Sequence, residues 1–418
     1  MGAWKQRRLA ELIRIKHGYA FSGQYFGSQG KYVVLTPGNF HEEGGFKSKD
    51  DREKRYSGSF PKEYLLNQGD LLIAMTEQGE GLLGSSALVP ENDLYLHNQR
   101  LGLVEIRDEQ ECDKRFLYYL FNTGPVRRQI RATATGTKIR HTSPTGIGEV
   151  IASFPELGEQ RRIADMLSAY DDLIENCHCR LRILEEMARR LYREWFVHFR
   201  YPGHKRNRRR GTDGTQPAGW KPTTLGSITT KIGSGATPRG GKSAYQSAGI
   251  ALIRSMNIYD YRFEYSDLAF IDEEQARSLD SVTVQAGDVL LNITGASVAR
   301  CALAPSHVLP ARVNQHVAII RAKAGVSNPS FLVDTLNSDS HKAKLLAQAQ
   351  GGATREALTK ETLSNFPVLL PSKRILDRYH QVAGRLHSKR ESLQRQVQCL
   401  RSTRALLLPR LLSGDLSE

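Results

Sequence analysis

Two long stretches of the chain carry apolar or small side chains at alternating intervals of four and three residues, the spacing of a heptad seam. The first row comprises Ile163, Leu167, Tyr170, Ile174, Cys177, Leu181, Leu184, Ala188, Leu191 and Trp195. The second row comprises Tyr379, Leu386, Leu393, Leu400 and Leu407, with Ile375, Val382 and Val397 between them. The pattern predicts two long helices, and the second seam is the less apolar because Lys389 and Gln396 interrupt it.

Outside these helices, the apolar residues fall in short runs typical of β-strands. Runs such as Tyr32–Leu35, Asp70–Met75 and Gly102–Ile106 are bounded by Gly, Asn and Pro, which favour turns. Two denser runs, Phe116–Phe121 and Phe331–Leu336, are typical of short buried helices. The pattern therefore predicts compact mixed α/β domains.

The same landmarks occur twice in the same order. Four pairs are separated by 216 positions: Trp4 and Trp220, Leu9 and Leu225, Asn98-Gln99 and Asn314-Gln315, Gly136 and Gly352. GDLLIAMT at 69–76 and GDVLLNIT at 287–294 form a further pair, as do Phe154-Pro155 and Phe366-Pro367. Six ordered matches indicate a duplication, in which each copy is a globular α/β stretch followed by a long helix.

The duplication predicts an α+β fold with two homologous globular α/β domains separated by two long helices. Neither seam can stay exposed to water, and each has only the other as a partner, so we expect an antiparallel coiled coil. A helix from Glu159 to Phe196 would be roughly 57 Å long at 1.5 Å per residue. The predicted segments are a first domain at 1–155, a first helix at 156–200, a linker at 201–219, a second domain at 220–367 and a second helix at 368–412.

Charge favours a polyanionic partner. The chain has 418 residues and a formal net charge of +15, which suits nucleic acid better than a small neutral ligand. The alternative is that a moderately basic protein binds no polyanion at all. The linker concentrates this charge in a run that either contacts phosphates or is simply solvated, namely Lys205, Arg206, Arg208, Arg209 and Arg210.

The remaining composition predicts a soluble cytoplasmic protein. Five scattered cysteines suit free thiols in a reducing compartment, and neither a signal peptide nor an apolar run of about 18 residues is present. We therefore expect no membrane association.

Signatures of catalysis are missing from the sequence. The chain contains no Asp-x-Lys or Glu-x-Lys tripeptide for a metal-dependent nuclease and no GxxxxGK[ST] phosphate loop. Cys177-His178-Cys179 resembles a metal site, but these residues point in different directions on a helix, which favours core packing. His141 and His316 have no evident Ser or Cys partner for nucleophilic catalysis. We expect no catalytic residue, no bound metal and no cofactor.

The whole chain resembles the specificity subunit of type I restriction-modification systems. IKHGYAFSG at 15–23 and GDLLIAMT are similar to the start and central strand of that family's target recognition domains. FPELGEQRRIADMLSAYDDLIE at 154–175 resembles the entry into the family's first long helix, and LYREWFVHFRYPG at 191–203 resembles its exit. The second helix entry departs from the pattern, with Ser372-Lys373 where the first copy has Glu159-Gln160.

The resemblance implies a subunit that performs no chemistry. It implies that the chain selects an asymmetric bipartite sequence in double-stranded DNA and holds two methyltransferase (M) subunits on it. Those subunits use S-adenosylmethionine to methylate adenine, and restriction (R) subunits add ATP-dependent translocation and cleavage.

Base reading on this interpretation requires polar loop side chains, with Arg directed to guanine and Asn or Gln to adenine. We expect the DNA-binding residues of the first domain to be Gln24, Gln99, Arg100, Lys138, Arg140 and His141. Those of the second domain are Arg239, Lys242, Arg254, Asn257, Gln315 and Arg355. Because Asn98-Gln99 and Asn314-Gln315 recur in both copies, these pairs serve the fold or the phosphates more plausibly than base identity. The glycine loops Thr135–Lys138 and Gln350–Thr354 share that ambiguity.

Two other functions compete with this interpretation. A stand-alone DNA-binding regulator or architectural protein could also join two reading domains by a coiled coil. An enzyme with an unfamiliar active site is the second alternative, which the missing catalytic signatures disfavour.

Overall fold

The structure is a computed structural model that describes residues 4–49, 53–203, 217, 219–350 and 357–413. The chain divides into two compact units. One takes the described residues up to Ile174 together with those from Leu400 onward, and the other takes those from Glu175 to Cys399. Each unit therefore contains a globular copy and a portion of both long helices. Within the described residues, none of the helices combines the length and apolar character that a membrane span requires.

The first copy alternates short strands with short helices. Its strands are β1 Lys5–Arg8, β2 Ile13–His17, β3 Phe26–Gly27, β4 Tyr32–Val34, β5 Arg55–Tyr56, β6 Leu71–Ala74, β7 Thr76–Glu77, β8 Ser86–Leu88, β9 Tyr95–Leu96, β10 Leu101–Ile106, β11 Arg140–His141 and β12 Ile151–Phe154. Its short helices are α1 Leu9–Leu12, α2 Lys114–Phe121, α3 Gly124–Ala132 and α4 Pro144–Gly148. The first long helix, α5 Leu157–Tyr192, has 36 residues and ends in a π-helical turn at Arg193–Val197.

The second copy also combines short strands with short helices before a long one. Its strands are β13 Lys221–Thr224, β14 Thr229–Ser234, β15 Ile250–Ile253, β16 Ile258–Tyr259, β17 Arg262–Phe263, β18 Ala269–Ile271, β19 Thr283–Val284, β20 Val289–Asn292, β21 Cys301–Leu303, β22 Ala311–Val313, β23 Val317–Ala322 and β24 Pro367–Leu370. Its helices are α6 Glu273–Ser278, α7 Pro329–Asn337, α8 Asp339–Gln350, α9 Lys360–Ser364 and the 41-residue α10 Lys373–Ser413. Helices α2 and α7 confirm the two short buried helices expected from the sequence.

The two copies share the topology of their main sheet. Each has a four-stranded antiparallel sheet, in the order β2-β10-β6-β8 in the first copy and β14-β23-β20-β21 in the second. Each also has a second sheet containing one parallel pair, β4 with β9 and β15 with β22. A two-stranded ribbon closes each copy, β1 with β12 and β13 with β24. The repeated landmarks in the sequence therefore mark the same fold formed twice.

In the first unit, both long helices contribute to the core of the globular copy. Ile163 and Leu167 of α5 share one apolar cluster with Leu411 and Leu412 of α10. Asp171 of α5 forms an ion pair with Arg404 of α10 and accepts a 2.7 Å hydrogen bond from the Tyr119 hydroxyl. The beginning of the first helix thus packs with the end of the second.

In the second unit, the same two helices run in opposite directions. Arg390 of α10 lies 3.3 Å from Glu185 of α5, and Tyr379 packs on Phe196 with the ring centroids 4.6 Å apart. Residues late in α5 therefore meet residues early in α10. This arrangement confirms the antiparallel packing expected from the two seams.

The α10 seam differs in one row from the expected one. Val382 is exposed, whereas the next residue, Ala383, is fully buried. Further along, His387 and Arg390 are buried in place of an apolar row. The expectation for Val382 was wrong because the buried face of α10 here is the one that carries Ala383, His387 and Arg390. The two polar side chains are held on that face by specific partners. His387 Nε2 lies 3.0 Å from Asp334 Oδ2, and Arg390 donates to the Tyr261 carbonyl at 2.8 Å.

Candidate nucleic-acid interface

The central strand of each copy ends between two loops. In the first copy, the Met75 N–H donates to the Arg100 carbonyl at 3.0 Å, and the Met75 carbonyl accepts from the Thr142 N–H at 3.0 Å. One flank is the Asn98-Gln99 turn and the other is the loop that carries Gly136. The hydrogen bonds therefore bring together two segments that are about 40 residues apart in sequence.

The second copy repeats this arrangement around Ile293. The Ile293 N–H donates to the His316 carbonyl at 3.0 Å, and the Ile293 carbonyl accepts from the Leu358 N–H at 2.8 Å. We call these two places, Met75-Thr76 with its flanking loops and Ile293-Thr294 with its flanking loops, the strand-end sites. The first strand-end site gathers five of the six residues expected to bind DNA in its copy, namely Gln99, Arg100, Lys138, Arg140 and His141, whereas the described part of the second holds Gln315 alone.

The shared Asn residues hold the backbone of their turns. Asn98 Oδ1 accepts a hydrogen bond from the Arg100 N–H at 3.1 Å, and Asn314 Oδ1 accepts one from the His316 N–H at 3.1 Å. This bond from a side chain to the backbone two residues later fixes the turn. Gln99 and Gln315 remain exposed at the tips. Asn98 and Asn314 thus serve the fold.

Glycines let a second backbone pass close beneath each turn. A Cβ on Gly18 would lie 2.1 Å from the Asn98 carbonyl oxygen, and a Cβ on Gly235 would lie 1.7 Å from the Val313 carbonyl oxygen. No side chain fits at either distance. In the first copy, His97 also supports the turn, because its Nε2–H donates to the Leu101 carbonyl at 2.9 Å. Burial lowers the pKa of His97 to about 4.

The glycine loop of the first copy presents two exposed cations. Thr135 and His141 exchange backbone hydrogen bonds of 2.9 Å, which close a hairpin. Gly136 has a φ of +95° within it. Lys138 and Arg140 are exposed at this hairpin, and neither forms an ion pair within the described part of the chain. The second copy's loop at 351–356, with the expected residue Arg355, lies outside the described residues, as does the basic run from Lys205 to Arg210.

In each strand-end site, an imidazole lies within hydrogen-bond distance of the threonine that ends the central strand motif. His141 Nδ1 lies 3.1 Å from Thr76 Oγ1 in the first copy, and His316 Nδ1 lies 2.6 Å from Thr294 Oγ1 in the second. His141 comes from the glycine loop, whereas His316 follows the Asn-Gln turn. His316 was not among the expected residues. The signal that could have identified it is the pair of equivalent threonines, since each ends the repeated GDxLxxxT motif.

Three further expected residues are exposed but lie in other loops. Gln24 belongs to the short 3-10 turn Gly23–Tyr25. Arg239 and Lys242 lie in the loop between β14 and β15, and the Arg239 backbone is fastened to the Gln275 amide by hydrogen bonds of 3.1 and 3.2 Å. No hydrogen bond or ion pair within the described residues joins these three side chains to a strand-end site, so their role in binding stays a prediction.

Two expected residues are positioned for the fold. Asn257 is fully buried, its Oδ1 accepts from the Arg254 N–H at 3.0 Å, and its Nδ2 donates to the Glu264 carbonyl at 3.0 Å. No edge of that amide is left for a base. The half-buried Arg254 guanidinium bonds the Asp267 carbonyl and lies over the Tyr245 ring. We therefore remove Asn257 from the proposed set and regard Arg254 as structural.

Comparison with known proteins shows what the chain is similar to. Residues 1–185 match the family model described as type I restriction modification DNA specificity domain. The type I restriction enzyme MjaIX specificity subunit of Methanocaldococcus jannaschii is 26% identical over 305 residues, covering 72% of this chain and 68% of the relative. The EcoBI specificity subunit of Escherichia coli is 23% identical over 411 residues, covering 94% of this chain and 81% of the relative.

Residues 1–185 carry the type I restriction-modification DNA specificity domain, and the chain is similar over most of its length to type I specificity subunits.

A solved structure in this family has the same fold. The type I restriction-modification S subunit from M. genitalium is similar with a TM-score of 0.65 and 16% identity, over 98% of this chain and 96% of that one. The fold match covers both copies, including the second one, which the family model does not reach. A specificity subunit is non-catalytic, and the comparisons do not favour a stand-alone regulator. Within the described residues, no group of three His, Cys, Asp or Glu side chains could hold a metal ion.

Proposed function

We propose that the chain selects an asymmetric, two-part DNA target and that each globular copy reads one half-site. The observation that carries this proposal is the pair of strand-end sites. Their backbone scaffolds are alike, while the side chains differ at matching positions, with the exposed Arg100 and His141 in the first copy against the half-buried His316 and Ala357 in the second. Equivalent scaffolds with different polar groups suit two domains that bind DNA alike and read different bases.

The two long helices would set the distance between the half-sites. A DNA duplex has two-fold axes perpendicular to its length, and an antiparallel helix pair can supply such an axis within a single chain. Because the two copies differ in sequence, the target need not be a palindrome. The length of the paired helices then acts as the ruler for the gap.

Other subunits would perform the chemistry. The chain would hold two methyltransferase subunits on the target, where they use S-adenosylmethionine to methylate adenine. Restriction subunits with ATP-dependent translocation would complete the restriction enzyme. The specificity subunit itself would contribute the DNA contacts and the docking surfaces, with no cofactor of its own.

Co-expression with the methyltransferase subunit tests this function. Mapping methylated adenines across the genome of an expressing cell should show one asymmetric motif with two defined parts and an unspecified gap of fixed length. Absence of the chain should abolish those methyl groups. Tight site-specific binding by the isolated chain, with methylation unaffected by its removal, would instead support a stand-alone regulator.

A matched insertion tests the ruler. Seven residues added after Arg180 in α5 and seven after Arg395 in α10 keep both heptad seams in phase. They lengthen a helix by about 10 Å, or about 3 base pairs. The methylated motif should keep both half-sites, and the gap between them should lengthen by about 3 base pairs. Seven residues inserted between Gly211 and Thr212 serve as the control and should leave the gap unchanged. An unchanged gap after the helix insertions would contradict the ruler.

A further inference from the structure

Gln315 is held at its exposed position by the side chain that follows it. Gln315 Nε2 lies 3.0 Å from His316 Nε2, and His316 Nδ1 lies 2.6 Å from Thr294 Oγ1. The His316 backbone is fixed as well, through its N–H to Asn314 Oδ1 and its carbonyl to the Ile293 N–H. An exposed amide is thus tied through one imidazole to the end of the central strand.

The proton positions leave one defined edge of the Gln315 amide free. With Nε2 facing the ring, the amide donates one N–H to His316 Nε2, and the imidazole proton lies on Nδ1 and is donated to Thr294 Oγ1. With the amide turned over, His316 Nε2–H donates to Oε1, and the Thr294 hydroxyl donates to Nδ1. In both arrangements, the outer edge of the amide keeps one N–H donor beside one carbonyl acceptor.

That pair of groups is complementary to adenine. In the major groove, adenine presents the N7 acceptor beside the N6 amino donor, and a Gln or Asn amide contacts both at once. Guanine presents two acceptors at these positions, and cytosine presents a single donor. Fixing the amide before binding reduces the side-chain entropy that the contact would otherwise lose.

The first copy lacks this arrangement. The position of His316 is taken by Arg100, whose exposed side chain forms no hydrogen bond with Gln99. The imidazole on Thr76 belongs to His141, which lies in the other flanking loop. The ordered amide is therefore a property of the second copy.

We propose that Gln315 reads one adenine in the half-site of the second domain and that His316, anchored by Thr294, is the positioning residue for this contact. This inference rests on the proposed function, because it requires the second copy to bind a half-site. Gln315 is the specificity-determining group. His316 and Thr294 act through its orientation.

The test uses the complete complex with its methyltransferase subunits and a panel of duplexes in which each base pair of the second half-site is changed in turn. At one position, the wild-type complex should prefer an A·T pair over the other base pairs. Gln315→Ala should reduce that preference about tenfold or more. Replacing that adenine by 7-deazaadenine should weaken wild-type binding and leave Gln315→Ala unaffected. Discrimination at every other position should persist.

The positioning role has its own matched variants. Thr294→Val removes the hydroxyl at nearly constant shape and should reduce discrimination at the same adenine by about three- to fivefold, as should His316→Ala. Thr294→Ser keeps the hydroxyl and should retain the wild-type discrimination at that adenine. Thr76→Val in the first copy is the control and should leave the discrimination at this adenine unchanged.

Three outcomes would overturn the inference. A uniform loss of affinity for all sequences in Gln315→Ala, with the salt dependence unchanged, would make Gln315 a phosphate contact. Equal discrimination in Thr294→Val and Thr294→Ser would remove the positioning role. A second half-site at which no adenine matters would exclude the contact itself. The proposed function fails separately if the wild-type complex shows no sequence preference at any position of the panel.

Discussion

Each strand-end site holds an imidazole ring against an equivalent threonine, but the histidine comes from a different loop in each copy. In the first copy, Thr76 binds His141 of the glycine loop, and in the second copy, Thr294 binds His316 of the Asn-Gln turn. The matching backbone bonds around Met75 and Ile293 show that the scaffold has been kept. The comparison teaches that the fold fixes where side chains are presented, whereas the side chains themselves have been free to change.

The shared scaffold gives the largest expected effect. A Cβ at Gly235, just after β14, would overlap the Val313 carbonyl, while a Cβ at Gly233, near the end of β14, would meet nothing within 4 Å. Gly235→Ala should therefore destabilise the second unit by about 3 kcal/mol or more, since backbone must move to accept the methyl group. Thermal unfolding of the purified chain measures the change. Gly233→Ala is the control, and equal losses in both variants would contradict a close approach specific to Gly235.

The helix contacts of the two units should differ in strength. Arg390 is buried against Glu185 and the Tyr261 carbonyl, and burial lowers its pKa, whereas the Arg404–Asp171 pair is about 30% exposed on both sides. Arg390→Ala should cost about 3 kcal/mol because it removes a buried guanidinium, its ion pair and its hydrogen bond to the Tyr261 carbonyl. Arg404→Ala should cost about 1 kcal/mol or less. Denaturant unfolding of both variants compares them, and a larger loss at Arg404 would reverse the ranking.

The buried His97 should make the first unit sensitive to acid. Burial lowers the pKa of His97 from its ordinary 6.5 to about 4. The unfolded chain therefore binds a proton more readily, and stability falls as the pH drops below about 6.5, by about 2 kcal/mol between pH 7 and pH 5. His97→Val, which copies Val313 of the second copy, should remove that part of the dependence. Unfolding at both pH values measures it, with the exposed His17→Gln as control. An unchanged slope in His97→Val would contradict the buried neutral ring.

The smallest expected effect concerns phosphate contacts in the first copy. Lys138→Ala and Arg140→Ala should each lower the slope of log affinity against log salt by about one, because each cation releases about one counterion on binding. Gln99→Ala should leave the slope unchanged, since an amide neutralises no phosphate. Titrating DNA binding by the complex from 50 to 200 mM salt, roughly the range in which such slopes are resolved, gives the comparison. An unaltered slope in both cation variants would place the hairpin away from the DNA backbone.

The duplication and the two seams made much of the fold predictable. Apolar residues at heptad spacing depend only on local order along a helix, and the prediction of two antiparallel helices was correct for that reason. The first row held at every position, because each of its residues is buried or half-buried. The second row failed at Val382, because His387 and Arg390 are buried by Asp334 and Tyr261. Those partners come from distant segments, and spacing within a helix does not reveal them.

The strand-end sites were predictable only in part. Gln99, Arg100, Lys138, Arg140, His141 and Gln315 were expected from residue type, and the structure places them at these sites. Asn257 has the same polar amide as Gln315 but is fully buried. His316 was missed because its partner Thr294 is 22 positions away and the pairing depends on how β20 and β23 meet. Residue type alone does not decide whether an amide faces solvent or the backbone of its own turn.

An exchange of domains tests the central claim most directly. Residues 1–155 are replaced by the corresponding domain of a family member with a different known target, and methylated adenines are mapped across the genome of cells that also express the methyltransferase subunit. We predict a new first half-site beside an unchanged second half-site and an unchanged gap. Altered bases in both half-sites would contradict the assignment of one half-site to each copy.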